Sequence, residues 1–322
     1  MKKVVYCLVN FGGPRSLEEI APFLTELLCD RDVVWTKFPS FIHNWLFGRV
    51  ARKRAVKIAY DYAKIGGKSP IYEDTEFLAQ ELEKRLSAPV LTFHRYLPAA
   101  HAASLRAIEQ CDAEEIRFVP LFPQFTYATT GSIARFFDRR LPRKIRTKMQ
   151  CIRSYPTHPA FIAAWQRRIG EFLQEKGLSE VAWLFSAHGL PRRFVDKGDS
   201  YQEECTRSFD AIRTAFSGVA RLAYQSKFGP GEWLRPYTDE SCEQIASWSE
   251  GKKEIVVVPL SFTSDHIETL FEIEEMYLPV LRQKGVCAYR CPALNREPYW
   301  IDALAEISQS SARVALTSLI RP

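Results

Sequence analysis

Four carboxylates recur at three- and four-residue spacing near position 270: Asp265, Glu268, Glu272 and Glu275, all within the stretch EIVVVPLSFTSDHIETLFEIEEMY of residues 254–277. Residues so spaced share one face of an α-helix. Such an acidic stripe could attract a metal cation and pass it along. On the same projection His266 points elsewhere, towards Leu270 and Ile273. A capping box of Asp265 with Glu268, followed by a solvated face, would leave the same pattern. The stripe has a definite place in the chain. Residues 255–258 are an uncharged β-branched run, as a strand buried on both faces of a parallel sheet requires. Pro259 has no N–H for a ladder, and Thr263-Ser264-Asp265 is a cluster of helix-capping residues. A helix should follow, to about Tyr277. Open α/β sheets bind ligands just past the carboxyl ends of their strands, and that is where the stripe begins.

Three other stretches could carry chemistry. In Trp183-Leu184-Phe185-Ser186-Ala187-His188-Gly189-Leu190-Pro191 a buried strand gives way at once to a histidine in a turn fixed by Gly and Pro. Histidine can exchange a proton near neutral pH or ligate a metal; a histidine satisfied by local backbone bonds fits the position as well. The G-x-S-x-G frame of a nucleophile elbow is absent. The loop of residues 225–237, QSKFGPGEWLRPY, holds Trp233 among Gly and Pro. This Trp should cover something flat and apolar, or pack on its own domain. Residues 33–54, VVWTKFPSFIHNWLFGRVARKR, are dense in aromatics and then basic at Arg49, Arg52, Lys53 and Arg54. That combination suits an anionic lipid surface or the lip of a pocket for a greasy, acidic ligand. Trp35, Phe38, Phe41, Ile42, Trp45, Leu46 and Phe47 fall in a loop expected after the first helix, so part of them should form an exposed apolar rim. Nucleic acid fits poorly, because the basic run is short and no known binding module surrounds it.

The elements that must position these residues alternate. Strand signals fall at 3–11, 90–96, 116–122, 181–186, 220–225, 255–262 and 286–290; helical patterns fall at 16–28, 75–86, 99–109, 160–176, 199–216, 240–249 and 299–307. That alternation predicts an α/β protein built of βαβ units around parallel sheets. An internal echo suggests two halves. Residues 115–121 and 254–260 share E-I-x-x-V-P-L, and the strands at 3 and 181 run into Gly12-Gly13-Pro14 and Gly189-Leu190-Pro191. The boundary should lie near Ser154-Tyr155-Pro156. Gly12-Gly13 is not G-x-G-x-x-G, so a nucleotide site is not indicated.

Composition narrows the class without choosing a function. The 322 residues are 46% hydrophobic and 25% charged with a net charge of +6, ordinary for a soluble globular protein and weakly in favour of an anionic ligand or surface. Met1-Lys2-Lys3 leads into a run broken at Asn10-Phe11-Gly12-Gly13-Pro14, which does not read as a secretion signal. No stretch approaches the ~20 apolar residues that span a bilayer. The eight cysteines are dispersed without a CxxC, and reduced thiols are expected. Residues 308–322 match no pattern and are expected to form a loose tail.

The chain resembles the ferrochelatase family, enzymes that insert ferrous iron into a porphyrin in heme biosynthesis. The resemblance runs from Asn10-Phe11-Gly12-Gly13-Pro14 to Cys291-Pro292-Ala293-Leu294-Asn295, and is most specific at residues 185–191, 225–233 with Thr238-Asp239-Glu240, and 262–270; residues 65–71 and 128–132 also match. It implies two Rossmann-like lobes with parallel sheets and a chelatase-like cleft between them. The first lobe would span 1–154 with a returning C-terminal helix at about 298–310, and the second 155–297. Carried over, the family's histidine falls on His188 and its glutamate on Glu268, on opposing sides of the porphyrin. Both are expected metal ligands, and Asp265, His266 and Glu272 are expected as a polar relay around them. Trp233 and Phe11 would flank the macrocycle, and Arg54, Tyr62, Ser69, Arg95 and Tyr96 would lie near its propionates or rim. The four cysteines with which some members ligate an iron–sulfur cluster are lacking, so no tightly bound cofactor is expected.

Porphyrin, with protoporphyrin the expected form, and ferrous iron would be substrates. The same resemblance allows an upstream porphyrin-pathway oxidase as partner, and a cytoplasmic location with reversible contact to the inner face of the membrane through residues 33–54. Metallation replaces two pyrrole protons with one divalent cation. It needs a base at the ring nitrogens, a way to desolvate the metal and a route for protons. The alternatives are a chelatase for another metal or tetrapyrrole, such as cobalt or coproporphyrin, and a non-catalytic porphyrin or heme carrier. A hydrolase built on His188, His266 and Glu268 would need those groups to converge on one metal, and the helical projection sends His266 and Glu268 apart.

Overall fold

A computed structural model describes residues 3–321. The chain forms two compact units, one holding the chain up to Ser154 and from Leu304 onward, the other Tyr155–Ala303. Both are parallel-sheet α/β lobes. The first sheet contains β1 (Val4–Asn10), β2 (Val90–His94), β3 (Glu115–Pro120), β4 (Met149–Cys151) and β9 (Val314–Ala315), in the order β2-β1-β3-β4-β9. The second contains β5 (Val181–His188), β6 (Ala220–Gln225), β7 (Glu254–Pro259) and β8 (Cys287–Arg290), in the order β6-β5-β7-β8. Among the strand pairs of the described residues, β4 with β9 is the antiparallel one. All seven strands read from the sequence are present.

The strand order repeats between lobes. β1, β2, β3 and β4 take the places that β5, β6, β7 and β8 take in the second sheet. The E-I-x-x-V-P-L echo therefore occupies equivalent strands, β3 and β7. Each is followed by a π-helix, at Tyr127–Gly131 and Glu268–Tyr277. The strands are buried as their composition demands. In the first lobe Cys7 and Val9 pack with Phe93, Phe118, Ile133 and Phe137, and in the second Leu184 and Val257 pack with Ile273, Leu278 and Leu281. Each such side chain stabilises its lobe by about 1.5–3 kcal/mol through area removed from water.

Three regions depart from the sequence reading. The first two concern the aromatic segment and a short strand. The segment expected as a loop after the first helix is helical from Ser40: after Ile20–Cys29 comes a helix of 25 residues, Ser40–Lys64. β4 has three residues, too short to leave an alternation. The third is the expected loose tail. Val314 and Ala315 pair with Cys151 and Gln150, and Leu316 and Leu319 enter the first lobe's core. Arg313 pairs with Glu115, and the Arg135 guanidinium donates to the Arg321 carbonyl at 2.8 Å.

Candidate functional site

The site residues gather where three adjacent strands of the second sheet end. His188 is the last residue of β5, between β6 and β7. Its backbone N–H donates to the Ser261 hydroxyl at 2.9 Å. Its Nδ1 lies 2.5 Å from the Gly189 carbonyl, an acceptor only, so Nδ1 carries a proton. Gly189 must be glycine, because a Cβ there would stand 2.6 Å from the Gln225 carbonyl oxygen. Locked in this way, the ring turns Nε2 towards Glu268, 3.5 Å from Oε1.

Glu268 opens the π-helix after β7. This is an i→i+5 helix, and such turns favour functional sites. It departs from the α-helical projection in two ways. The helix begins after His266, so Asp265 and His266 have no helical phase, and beyond that point each turn holds more residues than an α-turn. His266 consequently turns towards Glu268, not away: its Nε2 is 3.4 Å from Oε2. The objection to convergence of His188, Glu268 and His266 thus falls. Among the described residues, however, no three His, Cys, Asp or Glu side chains form a metal-holding group. The expected opposition of His188 and Glu268 also gives way. They are neighbours past the carboxyl ends of adjacent strands, too close for a macrocycle to lie between them.

Asp265 is held from several sides. Its carboxylate accepts from Arg290 Nη1 at 2.7 Å, Asn295 Nδ2 at 2.8 Å, Thr269 Oγ1 at 2.8 Å and the Ala293 N–H at 3.3 Å. It is a fully bonded anchor for the start of the π-helix. Glu272 does stand behind Glu268, accepting from the Ser226 hydroxyl at 2.5 Å. Glu275 is exposed.

Electrostatics separate the three titrating groups. Burial depresses the His188 imidazolium, but the charge and hydrogen bond of Glu268, helped by Glu272, outweigh it and lift the group to about 9. Burial acts on Glu268 in the opposite sense to its histidines, and the histidines hold its carboxyl well below the usual range. Burial, then the charge of Glu268, pushes Glu272 up to about 7. At neutral pH the site is therefore an imidazolium–carboxylate pair backed by a carboxyl poised to take or lose a proton.

The remaining expected residues sit as follows. Trp233 is 5% exposed and packs on Phe228 and over Gly189, so it covers its own lobe. In the first lobe Phe11 is half-buried and meets Tyr96 edge-on with centroids 4.5 Å apart. Arg95 departs from the role of a rim cation. It is buried, with Nη1 2.6 Å from Glu26, Nη2 2.8 Å from Asp30 and Nε on Ser132 at 2.9 Å. Tyr96 donates to the same Asp30 at 2.9 Å. Tyr62 and Ser69 are buried; a Cβ on Gly13 would strike the Ser69 side chain at 2.5 Å. Arg54 is exposed on the helix Ser40–Lys64. The sequence reading missed Phe262, whose ring lies 4.8 Å from that of His266 and 6.3 Å from that of His188. It also passed over Ser226, whose only signal is its place just after a strand end.

Two parallel-sheet lobes, with a His–Glu pair at the strand ends and acids continuing along a π-helix, define a chelatase-type α/β protein. Solved structures share that fold. One is CbiX, described as the terminal enzyme for biosynthesis of siroheme in denitrifying bacteria, with TM-score 0.54 and 13% identity over 95% of this chain and 98% of that one. Another is DR2241 of Deinococcus radiodurans, a multi-domain protein described as similar to chelatases, with TM-score 0.55 and 14% identity over 98% of this chain and 56% of that one. At such identities the likeness concerns fold alone. The family profile described as Ferrochelatase matches residues 4–312. The ferrochelatase of Chlamydia caviae is 48% identical over 319 residues, 98% of each chain, and that of Chlamydia trachomatis serovar A is 44% identical over 322 residues, 99% of this chain and 100% of that one. The chain belongs to the ferrochelatase family.

Proposed function

We infer that this protein is a ferrochelatase: it inserts ferrous iron into a porphyrin to make heme, with release of two protons, in the lyase class. The observation that carries the reading within the molecule is the contact of His188 and His266 with Glu268, 3.5 and 3.4 Å away, with Glu272 behind. All are proposed to act from one side of the ring. A cation taken up at Glu268 cancels the charge that keeps His188 protonated. The imidazole proton can then pass to Glu272, and the neutral Nε2 becomes a base that would take the two pyrrole protons in turn, handing each to Glu272 before the next. Ser226 continues the route from Glu272. A flat macrocycle hides its nitrogens from the metal, so the site must bind the ring out of plane, at a strain of ~1–5 kcal/mol. Phe11, Trp233 and Arg54 remain candidates for the ring and its propionates, whereas the buried Arg95, Tyr96, Tyr62 and Ser69 shape the first lobe. No iron–sulfur cluster is proposed.

The test is anaerobic metallation by purified protein with ferrous iron, comparing protoporphyrin with coproporphyrin by absorbance. Heme formation lost in His188→Ala supports the reading; tight porphyrin binding with no metallation at all would instead make the protein a carrier.

The helix Ser40–Lys64 supports a location as well. Phe41 is 73% exposed and Trp45 62%, beside Arg49, Arg52, Lys53 and Arg54. Exposed aromatics next to cations favour an anionic lipid surface, each cation contributing about 1 kcal/mol. We propose a cytoplasmic enzyme that docks reversibly on the membrane through residues 33–54, where a porphyrin-pathway oxidase could deliver substrate. No helix among the described residues is long and apolar enough to cross a membrane.

A further inference from the structure

We propose that Gln225 is a positioning residue that holds His188 and Glu268 at their working separation; the inference rests on the chelatase reading of that pair. Gln225 ends β6, beside β5, and is paired in register with His188. It is 2% exposed. Its backbone grips one partner: the Gly189 N–H donates to the Gln225 carbonyl at 2.7 Å, fixing the turn against which His188 sets its Nδ1. Its side chain grips the other: Nε2 donates to the Glu268 carbonyl at 2.8 Å and reaches the Glu272 carboxylate at 3.3 Å. No other residue described at the site bonds to both the turn after His188 and the first turn of the π-helix.

The amide has hydrogen-bond partners on both sides. The Ser186 hydroxyl donates to Gln225 Oε1 at 2.7 Å, and Ser186 Oγ in turn lies 2.8 Å from Thr238 Oγ1. The Glu268 carbonyl can only accept, so the NH₂ must face it, and Oε1 is left to accept from Ser186. The chain Thr238, Ser186, Gln225 and Glu268 therefore runs in one direction, from the start of the helix Thr238–Glu243 through β5 and β6 to the π-turn. A π-turn is a poor holder of position by itself, since its hydrogen-bond ring is wide and rarely repeated. The Gln225 amide supplies a second, ladder-anchored donor to the carbonyl of the residue that matters.

A buried amide that merely satisfies the core would have the same bonds. It would differ in what its loss moves. The experiment is a comparison of wild type, His188→Ala, Gln225→Met and Gln225→Glu under anaerobic metallation. The readouts are kcat, KM for ferrous iron, porphyrin Kd by fluorescence quenching, and melting temperature. Gln225→Met keeps volume and removes the donor. The expected result is a loss of about 100-fold in kcat, the scale of a ~1 Å misplacement, with porphyrin Kd within about twofold. Gln225→Glu keeps the shape but can only accept while ionised, and should lose at least as much. Normal kcat in a folded Gln225→Met overturns the proposal. So does a parallel fall of kcat, porphyrin affinity and melting temperature, the mark of a structural role. If neither variant folds, Thr238→Val tests the far end of the same chain. A smaller fall in kcat at unchanged porphyrin Kd supports the positioning role, and no change overturns it. Wild type without turnover, indistinguishable from His188→Ala, would defeat the functional reading itself; wild-type turnover matched by Gln225→Met defeats only the role of Gln225.

Discussion

His188 and Glu272 both hold protons above their ordinary ranges, for different reasons. Glu268 supports the imidazolium, whereas burial and the same carboxylate disfavour ionised Glu272. Two effects on stability follow from linkage. Between the unfolded carboxyl range and about 7 the folded chain keeps the Glu272 proton that the unfolded chain has lost, so stability falls as pH rises through that window. From the unfolded histidine value to about 9 the His188 proton acts in the same sense, its contribution fully present below that window and lost above it. Melting temperature should therefore decline from mildly acidic to alkaline pH. Glu272→Gln should flatten the lower part of that decline and leave the upper part; a parallel curve would show that Glu272 is an ordinary carboxylate. Activity separates the same residues. His188→Ala should leave less than about a tenth of wild-type turnover, a barrier increase above ~1.4 kcal/mol, with the fold intact. Glu268→Gln should be as severe and Glu272→Gln milder, with porphyrin binding surviving both. His188 was legible because a histidine directly after a buried strand has one place to be. His266 and Asp265 were misread because their side-chain directions depend on where the helix starts, and capping residues mark that only within a residue or two.

At the scale of elements, the π-helix carries the chemistry and is the element that sequence periodicity could not resolve. Acids at three- and four-residue spacing read as an α-helical stripe, and an i→i+5 ladder leaves no different composition behind. Its start is held by Asp265 and its flank by Arg290, which spans Asp265 at 2.7 Å and Glu274 at 2.9 Å. Arg290→Met would strand a carboxylate whose side chain is 11% exposed, at a cost of about 3–5 kcal/mol. Urea unfolding of this variant, of Asp265→Asn and of the double variant should show strong non-additivity; simple addition of the two losses would mean the pair does not act as a unit.

For the whole molecule, the two lobes were readable because parallel strands buried on both faces leave uncharged runs that little else produces, and because the E-I-x-x-V-P-L echo marks equivalent strands. What stayed hidden was short: a three-residue β4 and a two-residue β9 are below what any pattern can show. The exposed rim of Phe41 and Trp45 belongs to this scale too. Wild-type protein should pellet with anionic vesicles, less at high salt, and Trp45→Ser with Phe41→Ser should reduce pelleting. Protein that never pellets would confine these aromatics to contact with the porphyrin.

The pairing of β9 with β4 also orders events during synthesis. The first lobe starts at the beginning of the sequence, yet the far edge of its sheet stays open, and Leu316 and Leu319 are missing from its core, until residues 314–319 have left the ribosome. The second lobe, contiguous from Tyr155 to Ala303, has every strand it needs before that point. The lobe translated first is thus the lobe completed last. Between the emergence of β4 and that of β9 the nascent chain carries an unpaired strand edge, a period in which chaperone protection matters.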